Sequence, residues 1–283
     1  MKDMGRSTSF IYLVITAILW SLGGVLIKLV DWNPIAIAGS RSAIAAIVML
    51  IYLRKPRLTW SIDQLLAAFF YAGVVILFVM ANKFTTAANA ILLQYSAPVY
   101  VALLGSWLLK EKANRYDWLT IGLVFSGMIL FFLDELDFGN LLGNIFAILS
   151  GISFAFMIVF LRRQKKSSTT ESVFLGNIFA ALFSLPFMTE PLPSLSGFLG
   201  IILLGTVQLG ISYILYSIAI KHVTALEAIL VPVLEPILNP VWVFIATKET
   251  PGKWALLGGT VILCSVTCRY AFPVINKKLK LKT

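Results

Sequence analysis

Long apolar runs separated by short polar breaks organise the whole chain. They fall at about 9–30, 34–53, 64–82, 85–109, 116–133, 139–161, 172–188, 195–220, 224–247 and 254–272. Each is close to the ~20 residues a helix needs to cross the hydrocarbon core of a bilayer. Within each run the apolar residues are continuous rather than alternating, which predicts helices and not the strands of an outer-membrane barrel. The breaks carry turn and charge signals: Asp31-Trp32-Asn33-Pro34, Arg54-Lys55-Pro56-Arg57, Lys110-Glu111-Lys112, Asp134-Glu135, Arg162-Arg163 and Glu190-Pro191. Pro186 cuts the seventh run short.

Composition narrows the class. Of 283 residues, 59% are hydrophobic and 13% charged, with a mean hydropathy of +0.91. A soluble domain carries about twice that charge, so an ordinary cytosolic enzyme, a disordered chain and a disulfide scaffold are excluded. The formal charge of +10 could suggest nucleic acid, but the basic residues sit in short connectors, where they set orientation instead. With the N-terminus placed in the cytoplasm, the inner segments and tail hold 18 Lys and Arg, against Lys83, Lys248 and Lys253 outside. This bias predicts a multi-pass protein of the plasma or inner membrane with both termini cytoplasmic. The outer connectors carry Asp134, Glu135, Asp137 and Glu190. The first run is too long for a signal-peptide core and reads as a retained span. Cys264 and Cys268, four apart in one run, suit neither a metal site nor a disulfide and read as small lipid- or core-facing residues.

The chain repeats itself. Residues 81–111 align without gaps on 219–249, with ten identities that include Lys83/Lys221, Thr86/Thr224, Pro98/Pro236 and Lys110-Glu111/Lys248-Glu249. Trp118-x3-Gly122 then matches Trp254-x3-Gly258. The offset spans five runs, and an odd number reverses the second copy across the membrane. The prediction is an all-α polytopic membrane protein of ten transmembrane helices in two inverted five-helix repeats, 1–135 and 136–283, the second ending in a basic cytoplasmic tail. Inverted repeats mark secondary transporters that expose a central site alternately to either side.

The order of these motifs resembles the EamA domain of the drug/metabolite transporter superfamily. In the first half it reads Asn89-Ala-Ile-Leu-Leu-Gln-Tyr-Ser-Ala-Pro98, then Lys110-Glu111. In the second it reads Glu227-Ala-Ile-Leu-Val-Pro232-Val-Leu-Glu235-Pro236, then Lys248-Glu249. Trp20-Ser21-x-Gly23 matches the family's start, whereas the second half carries Ser150-Gly151 where a Trp would repeat. The resemblance implies a ten-helix exporter of small metabolites, often amino acids or related amphipathic compounds. It also implies a central site surrounded by spans one, three, four, six, eight and nine.

Polar residues at depth are the candidates for that site. Glu227 and Glu235 lie two turns apart, about 12 Å, on one side of the ninth span. A carboxylate deep in a bilayer costs about 2.5–3.5 kcal/mol unless it faces water or a partner. Burial disfavours its charged form, which makes Glu235 the candidate for proton coupling or for binding a substrate amine. Pro232, Pro236 and Pro240 predict a kinked, cavity-lining helix, each freeing a carbonyl one turn back, and Pro98 is the matched kink in the fourth span. Trp20, Gln94, Tyr95, Tyr100, Gln208, Tyr213, Tyr216 and Asn239 complete the substrate-binding set, the aromatic rings suiting an amphipathic or cationic ligand. Lys28 is expected to snorkel, and Arg41 to pair with Asp31 or backbone carbonyls or else to attract an anion. His222 falls in a connector, Trp60, Trp118 and Trp254 at span ends, and Gly139-x3-Gly143 is a close-packing signal within or between chains.

No nucleotide loop, dinucleotide fingerprint or zinc-protease motif is present. The expectation is therefore a secondary transporter and not an enzyme, with no cofactor and no nucleic acid partner. Its partners would be a small-molecule substrate, lipid and protons, with efflux the favoured direction and the oligomeric state open. The alternative is an importer or facilitator of a cationic solute held by Glu carboxylates and aromatic rings.

Overall fold

The structure, a computed structural model, describes residues 5–133, 139–164, 169–188, 192–238 and 252–271. All regular structure among them is helical. Among the described residues seven helices are long and apolar enough to cross a bilayer: α1 (Arg6–Leu29), α2 (Pro34–Leu53), α3 (Ile62–Phe84), α4 (Ala87–Leu109), α6 (Leu141–Arg163), α7 (Thr169–Phe187) and α8 (Leu195–His222). Between them α5 (Arg115–Phe131) has 17 residues. After α8 come α9, which runs from Ala225 through residue 238, and α10 (Lys253–Val266), continued by a π-helical turn at Thr267–Ala271. Residues 239–251, which include Asn239, Pro240, Lys248 and Glu249, lie outside the described residues, as do Asp134, Glu135, Asp137 and Glu190. The seventh helix starts three residues before its apolar run, and Pro186 ends it in a 3-10 turn at Leu185–Phe187.

The starts of the helices follow from short polar residues in the breaks. The side chains of Asn33, Ser61 and Ser194 accept backbone N–H groups of the first turns of α2, α3 and α8. Asn114 and Asp117 form a reciprocal capping box on α5, as Thr224 and Glu227 do on α9. Thr86 caps α4 by accepting from Asn89, and its repeat partner Thr224 caps α9 by accepting from Glu227. The aligned threonines of the internal repeat thus begin equivalent helices.

The outward surface is apolar. Ile11, Ile51, Phe69, Trp107 and Leu199 are all exposed, a distribution that suits lipid rather than water. Trp60, Trp118 and Trp254 are exposed near helix ends, where an interfacial belt would sit. Cys264 and Cys268 are exposed, and so is His222.

Helices pack in a regular pattern. Among the neighbours are α2 with α7, α5 with α10, α4 with α9, α3 with α6, α1 with α8, α3 with α7, α2 with α8, α4 with α6, and α1 with α9. Close approach rests on glycine where backbones meet. A Cβ at Gly258 of α10 would overlap the Gly127 carbonyl and the Phe131 N–H of α5. The Gly139-x3-Gly143 signal is met inside the chain, since a Cβ at Gly143 would strike the α3 end at Phe84 and Thr85.

Candidate functional site

Four helices are interrupted midway, and the interruptions converge. Alpha-helical geometry stops in α1 at Ser21-Leu22, in α4 at Tyr95-Ser96, and in α9 at a 3-10 turn over Val231–Val233. In α8 it gives way to a π-helix over Leu204–Ile211. Irregular helix within a membrane is tolerated where protein or a cavity satisfies the freed backbone groups. Prolines explain two of the four breaks. Pro98 has no N–H for the Gln94 carbonyl, and Pro236 has none for the Pro232 carbonyl. Each freed carbonyl meets a specific neighbour. The Gln94 carbonyl lies so close to α6 that a Cβ on Gly151 would come within 2.6 Å of it. The Pro232 carbonyl accepts the Tyr95 hydroxyl at 2.8 Å. The Ser150-Gly151 pair standing in place of a second Trp therefore has a local reason. Gly151 gives room, and Ser150 Oγ accepts Gln94 Nε2 at 2.8 Å.

Beside these breaks lies a small cavity of about 30 Å³, room for about one water molecule and far below the ~300–1,000 Å³ typical of ligand sites, so the centre is nearly closed in this structure. The six helices expected from the family resemblance each supply wall residues. They include Trp20 from α1, Val74 and Phe78 from α3, Gln94 from α4, Phe154 from α6, Gln208 and Tyr213 from α8, and Glu235 from α9. The α2 helix adds Arg41. Trp20 is the aromatic centre: its ring lies 4.8 Å from Tyr213, 5.1 Å from Tyr216 and 5.8 Å from Phe154. Its indole N–H donates to Ser212 Oγ at 2.9 Å, which fixes the ring.

Two charge-bearing side chains face this space. Glu235 is buried, and its Oε2 lies 3.0 Å from the Tyr95 hydroxyl. Arg41 is only 1% exposed. It donates to Gln208 Oε1 at 3.1 Å and to the Val75 carbonyl at 3.0 Å, while its Nε–H has no partner among the described residues. Of the partners expected for Arg41, a backbone carbonyl is present, and Asp31 is not among those recorded. Sequence reasoning left Arg41 out of the binding set, and also Phe154, Ser150 and Ser212. A charge two turns inside a span was the one available signal for Arg41.

Of the predicted set, Trp20, Gln94, Gln208, Tyr213 and Glu235 line one cavity, and Tyr95 and Tyr216 stand directly behind them. Tyr100 packs half-buried against the core and does not line the cavity. Glu227 is elsewhere: it completes the α9 capping box and pairs with Arg6 at one end of the bundle. Asn239 lies outside the described residues. Lys28 reaches the Thr85 carbonyl at 2.9 Å, at the opposite end of the bundle.

The end that holds Glu227 is laced by ions. Arg163 pairs with Asp63 at 3.1 Å and Arg269 with Asp117 at 2.8 Å. Glu111 joins three helices there. It follows Lys110, whose left-handed backbone (φ 60°) turns the chain at the end of α4. Its carboxylate pairs with Arg162 of α6 at 2.5 Å and accepts the Ala225 N–H of α9 at 2.9 Å. Among the described residues no group of His, Cys, Asp and Glu could hold a metal ion.

Apolar helices that meet around a small cavity with two buried ionisable side chains fit a membrane transport protein. The chain belongs to the EamA-like transporter family, whose profile matches residues 7–133 and again 141–270. It is similar to an uncharacterized transporter of Archaeoglobus fulgidus, 25% identical over 92% of this chain and 96% of that protein. It is also similar to the uncharacterized transporter YdfC of Bacillus subtilis, 25% identical over 91% of this chain and 88% of that one. One crystal structure shares the fold with a TM-score of 0.80 at 17% identity, covering 95% of this chain and 99% of the other. Family and relatives are transporters, so the protein is a membrane transporter and not an enzyme.

Proposed function

We propose that the protein is a ten-span secondary carrier of the cytoplasmic membrane that exports small metabolites, amino acids or related amphipathic compounds, by alternating access. Five spans in 1–135 would face five inverted spans in 136–283. Several observations support this layout. The family profile matches twice. The main helix neighbours recur when each helix is replaced by the one five places on: α3–α6 becomes α8–α1, α3–α7 becomes α8–α2, and α4–α6 becomes α9–α1, while α2–α7, α4–α9 and α5–α10 map onto themselves. Individual contacts repeat as well. Lys28 at the end of α1 donates to the carbonyl after α3, and Arg162 at the end of α6 donates to the carbonyls of Ile220 and Lys221 that end α8. Two copies related in this way can exchange conformations and open a shared centre to one side and then the other.

The observation that carries the reading is the charge-bearing cavity at the convergence of four interrupted helices. The wealth of Lys and Arg on one set of connectors supports cytoplasmic termini, and outward transport is the direction the family resemblance implies. Glu235 is the proton-coupling group. Tyr95 has one hydroxyl hydrogen but faces two acceptors, the Pro232 carbonyl and Glu235 Oε2. Both contacts are satisfied together when Glu235 carries a proton and donates it to the phenol oxygen. Tyr95 of α4 and Tyr213 of α8 face Glu235, Arg41 of α2 shares its cavity, and Tyr71 and Tyr216 stand behind Tyr213. A plain carrier of cations is the weaker reading, because a buried guanidinium shares the cavity wall.

Counterflow tests the carrier. Proteoliposomes loaded with an unlabelled metabolite extract should take up a labelled extract faster than unloaded ones. Equal uptake in both would remove the carrier reading.

A further inference from the structure

We infer that Arg41 is the specificity-determining residue of the cavity: its guanidinium receives a substrate carboxylate while Glu235 receives an ammonium group, so the cavity selects small zwitterions. This deepens the carrier reading and rests on it.

The first observation is an unfilled donor. Arg41 is almost wholly buried and lines the cavity, yet its Nε–H has no acceptor among the described residues. A buried charged group left short of hydrogen bonds is costly, and more so within a bilayer. Its partners here are neutral, a side-chain amide and a backbone carbonyl. Neither neutralises the charge. A carboxylate would do so, and the planar guanidinium is built to hold one through two parallel bonds.

The second observation is the opposite charge on another wall. Arg41 and Glu235 line one cavity but make no ion pair with each other. Two complementary ionisable groups on the walls of one cavity, which must widen to admit a ligand, match a substrate with a carboxylate at one end and an ammonium at the other. Trp20 and Tyr213 also line the space, and aromatic rings there suit a cation near Glu235 and an apolar side chain between the poles. Gln208 holds Arg41 in place from the π-helical part of α8, so it positions the guanidinium edge. The arrangement also fits the coupling step. A proton arriving on Glu235 removes the partner of the ammonium and releases that end of the substrate.

The test uses three mixtures on purified wild-type protein: the twenty standard amino acids, the primary amines that match them without the carboxylate, and the carboxylic acids that match them without the amine. Thermal stabilisation is titrated for each. The amino-acid mixture should act at a concentration at least tenfold below either of the others. Arg41→Lys should erase the preference for amino acids over amines, a ratio that a purely structural role would not move. Should that variant fail to fold, Gln208→Glu provides the second arm. It places a resident carboxylate beside the guanidinium, and it should weaken amino-acid binding at least tenfold. Equal action of amines and amino acids on the wild type overturns the proposal, as does an unchanged preference in both variants. If no mixture acts and a metabolite extract still drives counterflow, the zwitterion assignment falls and the carrier stands. If the extract fails too, both fall.

Discussion

Removing the charge of Glu111 should loosen one end of the bundle by a predictable amount. Its two carboxylate oxygens hold different elements, Arg162 at the end of α6 and the Ala225 N–H at the start of α9. These helices and α4 belong to different halves of the repeat, so any opening of this end must part them. A hydrogen bond to a charged group contributes about 1.5–3 kcal/mol. Here the side chains of Arg162 and Glu111 are 20% and 27% exposed, and solvent screening draws the ion-pair share down toward about 1 kcal/mol. Glu111→Gln keeps the shape and one acceptor but loses the charge in both contacts. A net loss of about 1.4 kcal/mol is reasonable, which is about tenfold in the ratio of closed to open states at that end. The readout is the labelling rate of a Val75→Cys variant, placed in the cavity wall, in a background with Cys264 and Cys268 replaced by Ser. An impermeant maleimide applied from the cytoplasmic side should react about ten times faster when Glu111→Gln is added. A rate within twofold of the parent, or a slower one, would refute the idea that Glu111 latches this end.

Other consequences follow from particular contacts. Tyr95→Phe leaves the Pro232 carbonyl without its donor and Glu235 without its neighbour; each buried group so stranded costs about 1–3 kcal/mol, and the melting temperature in detergent should fall. Glu235→Gln should abolish the response of flux to an imposed pH gradient while counterflow persists, and retention of full gradient-driven flux would dismiss Glu235 as the coupling group. Gly258→Leu should separate α5 from α10 and lower the yield of folded protein, because even a Cβ there overlaps the α5 backbone. Gly122→Leu, where a Cβ meets nothing within 4 Å, should leave the yield unchanged.

Periodicity and length made the helices legible, because a span must satisfy its own backbone and therefore declares itself as an unbroken apolar run. Chemistry at depth was legible for a similar reason. Trp20, Gln94, Gln208, Tyr213 and Glu235 are conspicuous in apolar runs, and they meet in one cavity. The prolines announced the breaks in α4 and α9, whereas the break at Ser21-Leu22 and the π-helix of α8 carry only the softer signals of Gly23-Gly24 and of Gly205 and Gly210. Glu227 shows the opposite limit. Thr224-x-x-Glu227 is a readable capping box, and its place at a helix start explains the carboxylate without a ligand. Arg41 stood out less because pairing with Asp31 or a backbone carbonyl would account for a cation two turns inside a span, and only the packing of α2 against α8 sets it beside Gln208 in the cavity wall.

The central claim is that two similar halves point in opposite directions across the membrane. Single cysteines at positions 110 and 248, the aligned lysines of the repeat, test it directly in cells whose protein lacks Cys264 and Cys268. An impermeant thiol reagent applied outside should label the cysteine at 248 in intact cells and reach the one at 110 after the membrane is opened. Labelling of both from the same side would contradict the inverted arrangement, and with it the alternating-access carrier built on it.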